Sequence, residues 1–268
     1  MTTTWEISPD SKTIPTLHNP LFIEGLPGIG NVGKIATDFL IEEFKAKKGF
    51  SFFSHKFPNS VFVNEANLVE MPKIELYFKK FNDAKKRDLL LLTGDIQPID
   101  EESCYTFCEE IIKVAQNFKC QEIVTTGGIG LQSIPEKPRV FVTSNDPQLL
   151  KEYTKKGLPV EEKIFGVVGP IMGVSGILLG LGKIRGMKAV SLLAETFGHP
   201  LFLGIKGAKE LLRVLEAKFS LGININKMSK EIIEVEKELM KKTKEWAEEM
   251  TTAHAGAKAK KKEASYIG

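Results

Sequence analysis

Three closely spaced glycines precede a helix-period segment near the start of the chain. Gly28, Gly30 and Gly33 match the GxGxxG spacing of dinucleotide-binding loops, in which glycines allow a tight turn and a close approach of the pyrophosphate. That chemistry also requires an acidic residue about twenty positions further on, which holds the ribose. Residues 50–64 contain no acidic residue, so the spacing alone does not predict an NAD or FAD site.

The same loop is similar to a Walker A phosphate loop. Gly28, Gly33 and Lys34 stand where GxxxxGK requires them, but Ile35 occupies the position of the Ser or Thr that binds Mg²⁺. Asp95, which follows a leucine-rich strand, could supply the acidic metal ligand of a Walker B motif. Two interpretations stay open: a nucleotide- or nucleoside-binding enzyme, or a structural loop whose glycines let a helix begin tightly against the first strand.

Two further glycine-rich segments, residues 127–130 and 169–173, also follow predicted strands. Because α/β folds bind ligands in loops at the carboxyl ends of parallel strands, these segments are compatible with a small-molecule pocket. Its structural or ligand-binding loop residues would be Gly28, Gly30, Asn31, Gly33, Gly128, Gly130, Gly169 and Gly173. Its polar candidates are Asn31, Asp95, Thr126, Glu195 and His199.

The chain lacks the residue patterns of common catalytic and metal sites. Cys104, Cys108 and Cys120 form no CxxC pair, and the 4 histidines have no HxxxH or HExxH spacing. We interpret the cysteines as small buried residues of a reducing compartment rather than as metal ligands. No GxSxG elbow is present. The sequence therefore predicts no catalytic residue, no metal and no cofactor.

Short apolar runs alternate with helix-period segments through most of the chain, which predicts a three-layer α/β/α domain with a mostly parallel mixed sheet. The predicted strands are residues 21–23, 50–57, 60–63, 74–78, 89–93, 122–126, 139–143, 164–168, 189–195 and 201–205. The predicted helices are residues 32–45, 100–118 and 207–219, with others that begin near 146 and 173. Residues 50–57 and 60–63 suggest a hairpin or two edge strands, and residues 127–130 a turn.

Composition and charge exclude several classes of protein. Hydrophobic residues make up 42% and charged residues 26%, which excludes collagen-like, disulfide-dense and wholly disordered chains. The net charge is +3, and the last eighteen residues hold four lysines and one glutamate, which accounts for the whole excess. A nucleic-acid-binding domain normally carries a basic face, so a body without net charge argues against a nucleic-acid partner.

Residues 164–182 form an uncharged stretch that is long enough to imitate a membrane span. Gly169 and Pro170 divide this stretch, and we predict a buried strand, loop and helix instead. The first residues have neither the basic nor the apolar region of a secretory signal. We expect a cytoplasmic protein with no membrane contact.

The chain divides into an N-terminal extension, residues 1–17, an α/β domain, 18–225, a C-terminal helix, 226–250, and a flexible basic tail, 251–268. In the helix an apolar stripe at heptad spacing either docks on the domain or forms an oligomer contact. The stripe contains Ile232, Val235, Leu239 and Trp246. The tail is rich in Ala and Lys, which predicts disorder, and it is either a frayed terminus or a tethered docking peptide.

Four segments, in order, resemble the archaeal branch of the proteasome assembly chaperone 2 family. They are residues 22–33 (FIEGLPGIGNVG), 125–130 (TTGGIG), 169–180 (GPIMGVSGILLG) and 194–200 (AETFGHP), and the resemblance covers about residues 18–220. The combined pattern is specific, whereas each glycine motif alone is not. The resemblance implies a single α/β/α domain of the phosphorylase/hydrolase-like kind, no enzymatic activity, and assembly into homo-oligomers.

The resemblance also implies a partner, the α-subunits of the 20S proteasome, and a role as an assembly chaperone or proteasome-binding factor. Some archaeal relatives insert a C-terminal hydrophobic–tyrosine–any-residue tail between α-subunits. In this chain Tyr266 is third from the end and Ser265 precedes it, which departs from that pattern. We expect Tyr266, Ile267 and Gly268 to contact the partner, and several tails on one oligomer would raise a weak affinity through multivalency.

Overall fold

The computed structural model describes residues 5–10, 14–161 and 169–228. The strands are β1 (Glu6–Pro9), β2 (Leu21–Glu24), β3 (Lys47–Phe53), β4 (Phe62–Val63), β5 (Val69–Glu70), β6 (Ile74–Lys79), β7 (Leu89–Gly94), β8 (Glu122–Leu131), β9 (Val140–Ser144) and β10 (Lys188–Phe197). The helices are α1 (Val32–Glu43), α2 (Glu101–Asn117), α3 (Pro147–Tyr153), α4 (Gly173–Ile184) and α5 (Ile205–Phe219). The predicted strand 164–168 lies outside the described residues, as do Ile232, Val235, Leu239, Trp246, Tyr266, Ile267 and Gly268.

Eight of these strands form one mixed sheet in the order β1-β3-β6-β7-β2-β8-β10-β9. The four central strands, β7, β2, β8 and β10, are parallel to one another. The flanking strands β1, β3, β6 and β9 join the sheet through antiparallel pairs. The predicted α/β fold with a mixed sheet between helical layers is confirmed.

The leucine run of β7 shows how the sheet separates two apolar cores. Because side chains alternate across a strand, Leu90 and Leu92 face the core formed with α2 and α4, whereas Leu89 and Leu91 face the core formed with α1 and α5. All four leucines are fully buried, as expected for a strand covered on both faces. None of the helices in the described part of the chain has the length and apolar character that a membrane crossing requires.

The strand register defines which loops share an edge of the sheet. Ile74, the first residue of β6, pairs with Gly94 at the end of β7, and Phe52 near the end of β3 pairs with Ile74. The segment between β3 and β6 therefore lies at the carboxyl edge of the parallel strands. The loops that follow β2, β7, β8 and β10 emerge at the same edge, where α/β folds bind their ligands.

Both predicted arrangements of residues 50–57 and 60–63, a hairpin or two edge strands, are wrong, because β3 lies inside the sheet. Strand β3 pairs instead with β1 and β6, and the short β4 pairs with β5. Residues of the N-terminal extension supply the missing partner, because β1 forms the edge strand. Trp5 is buried there, with its ring centroid 4.7 Å from that of Phe107, so this segment packs with the core of the domain.

The predicted turn at residues 127–130 is also wrong, because β8 continues through these glycines to Leu131 and stays paired with β10. Glycine serves a different purpose here: a side chain at Gly128 would overlap the carbonyl oxygen of Ile29. The predicted strand 201–205 is wrong as well, because residues 201–204 form no strand and α5 begins at Ile205. Those residues instead lead into α5, and the Gly204 amide donates to the Gly30 carbonyl at 2.7 Å.

Candidate functional site

A groove of about 860 Å³ opens at the carboxyl edge of the sheet. It lies between the loop after β2, the second half of β8 and the segment that begins α4. The predicted loop residues that line it are Gly28, Gly33, Gly128, Gly130, Gly169 and Gly173. Gly30 and Asn31, with φ angles of 62° and 50°, form the left-handed turn that leads into α1. The structure thus brings the three glycine segments together.

Close packing explains why the first loop needs its last glycine. A side chain at Gly33 would overlap the carbonyl oxygen of Thr126 on β8. Lys34 Nζ pairs with Asp38 at 2.9 Å, one helical turn later, and Ile35 packs on the core beneath α1. No Lys or Arg is among the described residues that line the groove. The geometry supports the structural interpretation of this loop and does not favour a phosphate site.

Glu24 is the residue that the sequence reasoning missed. It is the last residue of β2, it lines the groove, and only 1% of its surface is exposed. One carboxylate oxygen accepts a hydrogen bond from the Leu26 amide at 3.0 Å, and the other accepts one from Ser175 Oγ at 2.8 Å. Burial raises the pKa of Glu24 to about 7, although these hydrogen bonds act in the opposite direction.

One sequence signal could have identified Glu24: a single acidic residue that ends an otherwise apolar strand immediately before a glycine loop. In the segment LFIE of β2, the residues Leu21, Phe22 and Ile23 are fully buried. A fourth buried position filled by a carboxylate costs free energy unless it has hydrogen-bond partners. Such a residue at the carboxyl end of a central strand is a candidate for ligand binding.

Gln97 connects the two loops that border Glu24. Its side-chain amide nitrogen donates to the Pro27 carbonyl at 2.7 Å, and its side-chain oxygen accepts from the Val174 amide at 3.3 Å. These bonds fix the loop after β2 against the first turn of α4, which also carries Ser175. Gly173 begins that helix with a φ of 75°. The position of the Ser175 hydroxyl beside Glu24 follows from this connection.

Of the other polar candidates, only Thr126 lines the groove. Its hydroxyl donates to the backbone carbonyl of Glu24 at 2.7 Å, so it ties β8 to the end of β2. Asp95 accepts a hydrogen bond from the Lys73 amide at 3.2 Å. That contact lies just before β6, and Asp95 is not among the residues that line the groove.

Glu195 and His199 also lie outside the groove. Glu195 is buried on β10 and accepts hydrogen bonds from Arg139, with Nε at 3.1 Å and Nη2 at 2.5 Å. Burial would raise the pKa of Glu195, but the Arg139 guanidinium and amide hold it below its ordinary value. His199 accepts from the Leu201 amide at 3.3 Å and stacks on Phe197. Both residues stabilise the end of β10.

The three cysteines are buried free thiols, as the sequence analysis predicted. The hydrogen bond to Cys104, together with burial, raises the pKa of Cys108 well above its ordinary value. Within the ranges that the structure describes, no three His, Cys, Asp or Glu side chains come together in a way that could hold a metal ion.

A second unusual region lies at the same edge of the sheet. Strands β4 and β5 form a separate two-stranded sheet, and we call residues 61–71 the apolar hairpin. Its exposed apolar side chains are Val61, Phe62, Val63, Leu68, Val69 and Met71, with exposed fractions from 44% to 71%. An isolated two-stranded hairpin is marginally stable in water, and contiguous exposed apolar patches usually mark an interaction surface.

Comparison with known proteins gives a consistent result. Residues 22–243 match the model of the PAC2 family. Two uncharacterized proteins of Methanocaldococcus jannaschii are similar over most of their length. MJ1210 is 27% identical over 257 residues, 96% of this chain and 95% of the relative. MJ0106 is 31% identical over 223 residues, 83% of this chain and 84% of the relative.

Two solved structures from Pyrococcus furiosus have the same fold. PbaB, described as an archaeal proteasome activator, is 34% identical with a TM-score of 0.81, and the match covers 90% of this chain and 99% of PbaB. PbaA, described as an archaeal homolog of proteasome-assembly chaperone, is 22% identical with a TM-score of 0.70, and the match covers 97% of this chain and 99% of PbaA.

Proposed function

Because this chain belongs to the PAC2 family, we propose that it is a non-enzymatic proteasome-binding factor that acts as a homo-oligomer on 20S α-subunits. The observation that carries the proposal is the likeness to PbaB, an archaeal proteasome activator, at 34% identity over 90% of this chain. The likeness to PbaA supports the fold. We therefore take the mature 20S particle, rather than free α-subunits, as the principal target.

The polar groups of the described part of the groove do not form a nucleophilic triad. Glu24 is the only ionisable side chain among its described lining residues. The Ser175 hydroxyl donates to the Glu24 carboxylate, whereas a serine nucleophile of the triad kind donates to an imidazole. His199 lies outside the groove, where it accepts a hydrogen bond from the Leu201 amide. The groove therefore lacks a serine–imidazole pair in the part that the structure describes.

The apolar hairpin is the surface that we assign to contact with a second copy of the chain. Each of its two strands has one partner, so each leaves one edge of backbone groups unpaired, and unpaired edges favour pairing with another chain. Contact between identical hairpins related by a two-fold axis is self-complementary. Ile232, Val235, Leu239 and Trp246 remain the contact residues proposed from the sequence.

Residues 265–268 are proposed to strengthen binding to the proteasome. The test is co-elution of the full-length protein with mature 20S particles, and separately with free α-subunits, on size-exclusion chromatography. We expect co-elution with mature 20S, and we expect deletion of residues 265–268 to weaken it without a change in the oligomer's mass. Tyr266→Ala should weaken binding as the deletion does, whereas Ser265→Ala should not.

The possible outcomes separate the components of this proposal. Equal affinity of the truncated and full-length proteins would reject the contribution of the tail. Binding to free α-subunits alone would assign the protein to proteasome assembly instead of to the mature particle. Co-elution with neither would contradict the proposal as a whole.

A further inference from the structure

The groove has the dimensions and the lining of a ligand site. Its volume of about 860 Å³ falls within the range of roughly 300–1,000 Å³ that small-molecule sites occupy. Apolar side chains form much of its wall, among them Ile29, Leu131, Met172 and Leu193. A few polar groups set in an apolar wall orient a ligand. Among the described lining residues, Glu24 is the one that can carry a charge.

The hydrogen bonds of Glu24 leave capacity for a further partner. The carboxylate oxygens accept from the Leu26 amide and from Ser175 Oγ, and the Thr126 amide also donates to this carboxylate. A carboxylate has about four lone-pair positions, so about one remains available. An N–H donor of a planar ligand can fill that position in a charge-assisted hydrogen bond.

The charges on the described wall of the groove disfavour one large class of ligands. The described lining residues include no Lys or Arg, so a phosphate group would have no cationic side chain to balance its charge. Glu24 would in addition repel it, since like charges in a poorly solvated site interact strongly. A ligand that brings N–H donors, or a positive charge, would instead offset the cost of the buried carboxylate.

We propose that this groove binds a small planar ligand that carries no phosphate and presents an N–H donor edge to Glu24. Amidines, guanidines and guanine bases share such an edge. The ring of the ligand packs between the apolar walls, and its donor edge points toward the end of β2. This site is separate from the contacts with the proteasome that we propose above.

The test uses the full-length protein with three probes, benzamidine, guanosine and guanosine monophosphate, in titration calorimetry at pH 8. We expect benzamidine or guanosine to bind with a Kd at or below about 1 mM. Glu24→Gln should weaken that binding about tenfold or more, because it removes one of the two acceptors. Glu42→Gln, a surface substitution near the end of α1 that also removes one negative charge, should leave it unchanged.

Each outcome decides for or against the site. Binding of benzamidine alone identifies a cationic amidine or guanidine as the ligand class, and binding of guanosine alone identifies a nucleobase. Failure of both probes to bind, equal binding by Glu24→Gln, or tighter binding of guanosine monophosphate than of guanosine would overturn the proposal. Glu24→Asp keeps the negative charge, but its shorter side chain places the carboxylate farther from the ligand. This variant should therefore bind more weakly than the wild type.

Co-elution with 20S particles separates this proposal from the proposed function. Glu24→Gln should co-elute with mature 20S as the wild type does, because the ligand and the proteasome contact different surfaces. A protein that binds 20S but none of the probes would contradict only the ligand site. A protein that binds a probe but not 20S would contradict only the proteasome function.

Discussion

The groove at Glu24 and the apolar hairpin lie at the same edge of the sheet and depart from the usual distribution of side chains in opposite directions. In the groove a carboxylate is buried, with 1% of its surface exposed. In the hairpin Val63 and Val69 are 64% and 71% exposed. Folding alone favours neither arrangement. A buried carboxylate loses its hydration, and an exposed apolar side chain stays in contact with water.

This difference indicates two kinds of partner. A concave site with a buried carboxylate suits a small molecule that can enter and supply N–H donors. A projecting hairpin with apolar side chains suits another protein surface, which can cover a larger apolar area. Substitutions that correct each departure should therefore change binding in one region and leave the other region unaffected.

The largest effect is expected from the glycine that packs the groove's first loop on β8. In Gly33→Ala the added carbon would overlap the Thr126 carbonyl oxygen, and backbone must move to relieve it. We expect the free energy of unfolding to fall by more than about 3 kcal/mol. Differential scanning calorimetry should then show a Tm lower by roughly 6–12 °C.

Gly180→Ala is the matched control, because Gly180 lies in the exposed face of α4 with no atom within 4 Å of an added carbon. Alanine favours a helix interior over glycine by about 1 kcal/mol, so this variant should be slightly more stable than the wild type. If Gly33→Ala lowers the free energy of unfolding while Gly180→Ala raises it, the loss at Gly33 comes from close packing. A Tm for Gly33→Ala within about 2 °C of the wild type would contradict that account.

The next largest effect concerns the charge of Glu24. Its pKa rises from 4.5 to about 7 on folding, so the folded state holds more protons between these values. The stability of the wild type should therefore fall as pH rises through this window, by about 3 kcal/mol in total. Glu24→Gln does not titrate, and its stability relative to the wild type should improve by that amount between pH 4.5 and pH 8.

Chemical denaturation of both proteins at several pH values measures this difference. Among the described residues, Cys104 and Cys108 on α2 interact electrostatically with Glu24. They are present in both proteins, so to first order their own titration cancels in the comparison. A constant difference between Glu24→Gln and the wild type across this pH range would show that the carboxylate has no raised pKa.

Local chemistry made much of the fold predictable from the sequence. The run Leu89–Leu92 indicated a strand buried on both faces, and Asp100 and Asp146 were predicted helix starts. In the structure the Asp100 carboxylate accepts from the Ser103 amide at 2.9 Å, and that of Asp146 from the Leu149 amide at 2.7 Å. These interactions lie within three residues along the chain, and residue type alone determines them.

The parts that the sequence did not predict depend on contacts between distant residues. Glu24 meets Ser175 across 151 residues, so the groove's central carboxylate has no local signature beyond one acid at the end of an apolar strand. The glycines at residues 127–130 were read as a turn because glycine often forms turns. In the fold they are strand residues that let Ile29 approach β8. This contact joins distant parts of the chain, so no local sequence pattern predicts it.

The smallest effect on stability, but a large one on assembly, is expected in the apolar hairpin. Val63 and Val69 are directly opposite each other across β4 and β5. Replacing them by Lys and Glu places opposite charges in a cross-strand pair, which preserves the hairpin while making its surface polar. We expect the free energy of unfolding of the subunit to change by less than about 0.5 kcal/mol.

The mass of the assembly, measured by light scattering after size-exclusion chromatography, should fall in this Val63→Lys, Val69→Glu variant, because polar side chains remove the apolar contact between copies. Ile184→Lys is the control, since Ile184 is 72% exposed but ends α4 at the opposite edge of the sheet. An unchanged mass with normal 20S binding would show that the hairpin contacts neither a second copy nor the proteasome. An unchanged mass with lost 20S binding would instead show that the hairpin contacts the proteasome. Binding of benzamidine or guanosine should persist in this variant, because the groove is intact.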